Sequence, residues 1–332
     1  MENPVKAVPK IVSVAGGYWT GSSAAFDLLN EHPGCCSLPE EFAVLSYGQI
    51  FEELQQLTAG VGPEPMMDLE GSIRRLLAFN RPERLYPARS VLRRLCAALG
   101  FYPTALNAIR AGMGARLGPG YREACAAFVE SVRMRRQADG DDARINRDFG
   151  LMLQGIAAAV GGADLAPGKP VVLDQFIAPA YAEAALHFAP GLKCVFVDRD
   201  WRDQYVEVRS FLKSMITSNA RLGVRPSGED RGDYKLPEME FFIRLRQRIH
   251  RCRQRHETQY RDKILWLNFE DIVGETRPVA ERAFTFLGLD AAEWKPNACF
   301  RPESSRKNIG KWRSSVYTAE IEQMVRVLPV PR

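Results

Sequence analysis

The chain has 332 residues, 45 of them lysine or arginine against 40 aspartate or glutamate, for a net charge of +5, with 46% hydrophobic and 26% charged residues. These proportions suit a globular protein and exclude a disordered one, and no apolar run approaches the roughly 18 residues needed to cross a bilayer. Seven cysteines without a C-x-x-C pair argue against a disulfide framework or a zinc site, so no metal is expected. The length fits one long α/β domain spanning 1–332 or two smaller ones, and a single domain with an insertion is the expectation. The apolar stretch behind Lys6 and Lys10 is too short for a signal peptide, which points to a cytoplasmic location.

In chain order, Lys10 to Ala15 reads as the first strand, an apolar run suited to a parallel sheet covered on both faces. Gly16, Gly17 and Gly21 bracket a turn, and Ser22 and Ser23 open a helix with Ala25, Leu28 and Leu29 on its apolar side, closed by His32-Pro33. The free N–H groups and positive dipole end of that helix would face an anion in the turn. The spacing Gly16-x-x-x-x-Gly21-Ser22-Ser23 is that of a nucleotide-binding P-loop with Ser22 in place of the lysine. Without that ammonium the loop holds a triphosphate and magnesium poorly, and an anion of lower charge fits better. Glycines serving packing alone are the plainer reading.

Between about 47 and 167 no strand pattern appears. Helical patterns at Ser72–Phe79, Ser90–Leu99, Tyr121–Gln137 and Asp148–Val160 are separated by Gly- and Pro-containing breaks, which suggests a helical insertion. Further strands are expected at Pro170–Asp174, Lys193–Asp198 and Lys263–Phe269, each followed by a helical pattern. The fold class is therefore α/β: a central, mostly parallel sheet flanked by helices, P-loop NTPase-like, with ligands at the carboxyl ends of the strands. In Arg244–Arg255, Arg244, Arg248, Arg251 and Arg255 share one helical face, with Leu245, Ile249 and Cys252 on another. A solvated face explains them, and docking of an acidic acceptor is the alternative. Arginine outnumbers lysine 35 to 10, which favours two-pronged recognition of phosphate or sulfate. The basic residues lack the interleaved aromatics of a single-strand nucleic-acid platform, so no nucleic-acid partner is expected.

Four segments in order carry a family resemblance. They are the strand, glycine turn and helix ending in His32-Pro33; Cys194-Val-Phe-Val-Asp-Arg-Asp-Trp-Arg-Asp-Gln-Tyr205; Ile264–Val273 with Phe284-Thr-Phe-Leu-Gly-Leu289; and Arg306-Lys-Asn-Ile-Gly-Lys-Trp-Arg313. Together they resemble the sulfotransferases that use 3′-phosphoadenylyl sulfate, over about residues 10–45 and 170–325. The first resembles that family's 5′-phosphosulfate loop, the second its R-D-P-R-D element, the third its late Y-E-D-L strand and F-L-G-L helix end, and the fourth its R-K-G…G-x-W segment. The resemblance implies a nucleotide site at Gly17, Tyr18, Trp19, Thr20, Gly21, Ser22 and Ser23. It also implies Arg199, Ser210, Arg306, Lys307 and Lys311 toward the 3′-phosphate, with 3′-phosphoadenylyl sulfate as co-substrate and a small-molecule or carbohydrate hydroxyl as acceptor. For Arg199 an ion pair with Asp200 or Asp203 is the other reading.

Three positions depart from the family pattern. Trp19 stands where a cation normally stabilises the leaving oxygen, leaving that task to donors of Thr20, Gly21, Ser22 and Ser23 or to a cation from elsewhere. Glu207 replaces the serine eight residues after Arg199, and would repel a phosphate unless it points away or Ser210 takes over. Trp201 replaces a proline. The resemblance implies a general base, Glu or His, shortly after the first helix, and Glu41 is expected to take the acceptor's proton there, Glu40 being set aside by its capping-box spacing from Ser37; His187 is the runner-up. The other reading of Glu41 is an acid favouring a helix start, and of His187 a packed ring beside Phe188. The insertion would build the acceptor side. A P-loop kinase-like phosphotransferase with a degenerate loop, or a non-catalytic polyanion-binding protein using the Arg244–Arg255 helix, are the competing readings.

Overall fold

The computed structural model describes residues 10–17, 19–41, eight positions between 123 and 134, 141–161, 169–210 and 238–329, with the side chains of 38–41, 158–161 and 238 excepted. In order these form β1 (Ile11–Gly16), α1 (Ser22–Asn30), β2 (Cys36–Glu41), α2 (Asp142–Gly161), β3 (Val171–Asp174), α3 (Ala182–Phe188) and β4 (Lys193–Asp198). There follow α4 (residues 201–210), α5 (Glu238–Gln259), β5 (Ile264–Asn268), α6 (Phe269–Gly274), α7 (Thr276–Leu287), α8 (Pro302–Arg306) and α9 (Thr318–Val325). The strands hydrogen-bond in the order β2-β3-β1-β4-β5, with β2 parallel to β3 and β4 parallel to β5. The architecture is a mostly parallel five-stranded sheet flanked by helices.

The four expected strands are present. β2 is the addition, and it corrects one reading: Ser37 and Glu40 lie in a strand paired with Val171–Asp174, not at a helix start. The capping-box spacing met a stronger demand here, since residues 36 to 41 complete backbone hydrogen bonds with β3. Of the insertion, the described positions between 123 and 134 are helical and α2 covers the Asp148–Val160 pattern; Ser72–Phe79 and Ser90–Leu99 lie outside the described residues.

The chain divides into two compact units. The first comprises Met1–Ser13, Gly34–Ile177 and Tyr181–Lys193. Its core joins the fully buried β3 to Ile145, Phe149, Met152 and Ile156 of α2 and to Ala182, Ala185 and Phe188 of α3, with the Phe128 and Phe149 rings stacked at 4.8 Å. The second comprises Val14–Pro33, Ala178–Ala180 and Cys194–Arg332. There Phe196 of β4 meets Trp266 of β5 at 5.2 Å between ring centroids, and Trp201, Tyr205, Phe242, Ile321, Met324 and Leu328 form one buried cluster. Burying such side chains contributes roughly 1.5–3 kcal/mol each. The F-L-G-L sequence ends α7 as a Schellman turn, Leu289 N–H donating to Phe284 O at 2.9 Å and Gly288 N–H to Thr285 O at 3.0 Å. Among the described residues no helix is long and apolar enough to cross a membrane.

Candidate active site

The glycine turn lies in the second unit. Gly21 is the N-cap of α1 with φ of 85°, and an added Cβ would stand 2.3 Å from Cδ2 of Phe269, so both conformation and space require glycine. A Cβ on Gly17 would lie 2.1 Å from Cδ1 of Ile249. Among the described residues no side chain caps α1, and no acidic residue occupies its first turn. Ser22 is buried, Ser23 is exposed, and Trp19 adopts φ of 53° with 37% of its surface exposed. Tyr18 lies outside the described residues. A helix start behind a tight turn presents backbone N–H groups and a positive dipole end, an arrangement that favours an anion.

Arg199 follows β4 directly and is 6% exposed. Its Nη1 donates to Trp19 O at 3.2 Å, its Nη2 donates to Asn308 O, and its guanidinium carbon lies 5.0 Å from the Phe269 ring centroid. One side chain thus ties the glycine turn to the segment that carries Arg306, Lys307 and Lys311. The alternative ion pairs are not formed: Asp200 accepts from Arg202, and Asp203 accepts from Gly310 N at 2.6 Å and Trp312 N at 2.9 Å. Two carbonyls occupy two of the five guanidinium N–H groups. The buried Nε of Arg199 and Oγ1 of Thr20 have no hydrogen-bond partner among the described residues.

Around this clasp, Gln204 donates to Gly17 O and accepts from Arg246 Nη1 at 2.9 Å, and the same Nη1 donates to Asp198 Oδ1 at 2.7 Å. Asp198 also pairs with Arg253 at 3.3 Å and accepts from the Arg199 backbone N–H at 2.8 Å. Burial alone would raise the Asp198 carboxyl, but the charge and hydrogen bond of Arg246, the Arg199 amide and the charge of Arg253 outweigh it and hold it below its ordinary range. Glu270 accepts from Asp200 N at 3.0 Å; its burial raises its carboxyl above the ordinary range, against the opposing pull of that hydrogen bond and of Arg199.

The remaining expected residues fall as follows. Arg306 and Lys307 are exposed, with no ion pair among the described residues. Lys311 is paired with Glu207, so this carboxylate is neutralised from within the same unit. Ser210 is exposed at the described end of α4. In the first unit Glu41 closes β2, its backbone in register with Asp174. His187 is exposed and stands 3.6 Å from Asp142, with its ring edge-on to Phe188. Arg244, Arg248, Arg251 and Arg255 are exposed along α5, while Ile249 and Cys252 are buried. Among the described residues no group of three or more His, Cys, Asp or Glu side chains is arranged to hold a metal.

Sequence reasoning missed the supports. Asp198, Asp203, Gln204 and Arg246 fix the turn and the 308–312 segment, and all four are buried or nearly so. Glu31, at 3% exposure, accepts from Trp294 Nε1 at 2.9 Å and from the backbone N–H groups of Cys299 and Phe300 at 3.1 and 2.9 Å.

No protein-family model and no curated protein matches the chain. Among solved structures it is similar to the sulfotransferase domain from the Synechococcus PCC 7002 olefin synthase, at 16% identity over 99% of each chain with a TM-score of 0.40. It is similar also to a sulfotransferase from Alicyclobacillus acidocaldarius, at 14% identity over 96% of each chain with a TM-score of 0.36. A third likeness is a retinol dehydratase solved with retinol and PAP, at 13% identity over 99% of this chain and 84% of that one, with a TM-score of 0.32.

Proposed function

We propose that the protein is a sulfotransferase, moving a sulfuryl group from 3′-phosphoadenylyl sulfate to a hydroxyl of a small-molecule or carbohydrate acceptor. The observation that carries this reading is the Arg199 clasp, which fastens a helix start with no acidic residue in its first turn to the segment bearing Arg306 and Lys307. A nucleotide with anionic groups at both its 5′ and 3′ ends needs two positive sites in one unit, and the clasp joins the helix start to the Arg306–Lys307 segment within one unit. With no lysine in the turn, the donors for the 5′ end are backbone N–H groups and the hydroxyls of Thr20, Ser22 and Ser23.

In this mechanism the acceptor oxygen attacks sulfur in line. The bond between sulfur and the bridging phosphate oxygen breaks, and adenosine 3′,5′-bisphosphate leaves with the electron pair. The turn and α1 stabilise the charge that develops on the leaving oxygen, the largest contribution expected of the protein. Glu41 takes the acceptor proton; it ends a parallel strand, where ligands of open α/β sheets bind. His187 is the alternative base. Arg199, Arg306 and Lys307 read the 3′-phosphate through charge-assisted hydrogen bonds.

Transfer of labelled sulfate from the nucleotide to a panel of hydroxyl acceptors tests the reading. The expected result is transfer by the parent protein, with Glu41→Gln lowering turnover by about 10²-fold or more while nucleotide affinity is kept. Full turnover in that variant would move the base elsewhere, and absence of both transfer and nucleotide binding in the parent would end the proposal.

A further inference from the structure

We propose that Glu31 is a positioning residue for recognition of the nucleotide's 3′-phosphate: from the far end of α1 it sets where the cations of the 306–311 segment stand. The inference rests on the nucleotide reading above and deepens it.

Glu31 follows the last residue of α1, the helix whose first turn would hold the 5′ side of the nucleotide. It is 3% exposed and has no cationic partner among the described residues. Taking a carboxylate out of water without a counter-charge is costly unless its oxygens are filled by donors. Here they are filled three times: Oε1 accepts from two consecutive backbone amides, Cys299 and Phe300, and Oε2 accepts from the Trp294 indole. An apolar side chain of similar size would leave these three donors without an acceptor. What a carboxylate adds is a firm hold on two adjacent N–H groups.

Those amides immediately precede α8, which starts at Pro302 and carries Arg306 in its last turn. Phe300 is itself 3% exposed, which pins the backbone at the point Glu31 grips. Downstream the same segment is fixed by Arg199 on Asn308 O and by Asp203 on Gly310 N and Trp312 N. Arg306 and Lys307, exposed and without ion partners among the described residues, lie between the upstream and downstream anchors. A segment held at both ends presents its cations already placed, so binding a phosphate loses less conformational freedom. Removing the upstream anchor frees α8 and weakens the grip on the 3′ end, while the turn at the start of α1 keeps its own geometry.

An amide cannot replace the carboxylate. In either orientation of Glu31→Gln an NH₂ group faces the indole N–H or the two backbone N–H groups, so at least one donor loses its acceptor. Trp294→Phe removes only the indole donor and leaves the backbone hold intact.

Calorimetric titration of the parent, Glu31→Gln and Trp294→Phe with adenosine 3′,5′-bisphosphate and with adenosine 5′-monophosphate tests this, with thermal melts confirming that each variant is folded. The parent is expected to prefer the bisphosphate. Glu31→Gln should lose about tenfold in affinity for the bisphosphate and about twofold or less for the monophosphate, so that the preference collapses, and Trp294→Phe should keep the parent's preference. If Glu31→Gln does not fold, Glu31→Asp, which withdraws the oxygens by one methylene, should show the same collapse. An unchanged preference, or equal loss for both ligands, overturns the role of Glu31 and leaves the nucleotide reading standing. A parent without preference for the bisphosphate overturns the nucleotide reading first.

Discussion

Asp198 shows how residue-scale chemistry shapes the site. Its carboxylate gathers Arg246, Arg253 and the Arg199 amide at the end of β4, and those partners hold its folded-state pKa below the unfolded value. A carboxyl depressed in this way contributes stability that is present above its unfolded pKa and is lost as pH falls through the folded one. Asp198→Asn leaves Arg246 without its counter-charge, while Arg253 keeps Glu257, and should cost about 3 kcal/mol at neutral pH. Denaturant melts at several pH values check this: the gap between variant and parent should narrow as pH drops below the ordinary carboxylate range, and a gap independent of pH would contradict it. Some of this was legible in the sequence. Arg199 stood out because it follows a strand end, whereas Glu31, Gln204 and Arg246 were passed over as polar residues on helices. Each lies on its helix's apolar stripe, Glu31 three residues after Leu28, Gln204 three after Trp201 and Arg246 four after Phe242. A polar group at such a position signals a buried partner, but which partner depends on segments far away in the chain.

At the scale of elements, the junction of β1 and α1 was the clearest feature of the sequence, because apolar run, glycine turn and helix pattern all agreed. Gly21 carries the junction: its φ of 85° and the Phe269 ring 2.3 Å from an added Cβ leave no room for alanine. Gly21→Ala should destabilise the protein by roughly 2 kcal/mol or more and displace the turn, lowering nucleotide affinity with it. Thermal melts and calorimetry together check both effects, and a variant of parental stability would show that the turn tolerates a side chain. β2 was not legible, because Cys-Ser-Leu-Pro-Glu-Glu contains a proline and no β-branched residue. Its pairing with β3 is a tertiary effect that local propensity does not carry. The basic stripe on α5 was read correctly as an exposed face. The two arginines that matter for the site's framework, Arg246 and Arg253, lie off that stripe and turn inward to Asp198.

For the molecule as a whole, the alternation of strands and helices gave the fold class, and the strand order adds that β1 lies at the centre of the sheet. The two ends of the proposed nucleotide site come from opposite ends of the sequence, brought into one unit by side chains of Arg199, Asp203 and Glu31. The acceptor was not legible, since helical patterns in the 47–167 stretch report packing and not what a surface recognises. On the proposed function, this unit binds a nucleotide phosphorylated at both 5′ and 3′ positions without a metal. Calorimetric titration of the parent protein with adenosine 3′,5′-bisphosphate and with ATP, each with and without magnesium, measures it directly. The bisphosphate is expected to bind about tenfold or more tightly than ATP, independently of magnesium, and Arg199→Ala to abolish the preference. Tighter, magnesium-dependent binding of ATP, or no binding of the bisphosphate, would contradict it.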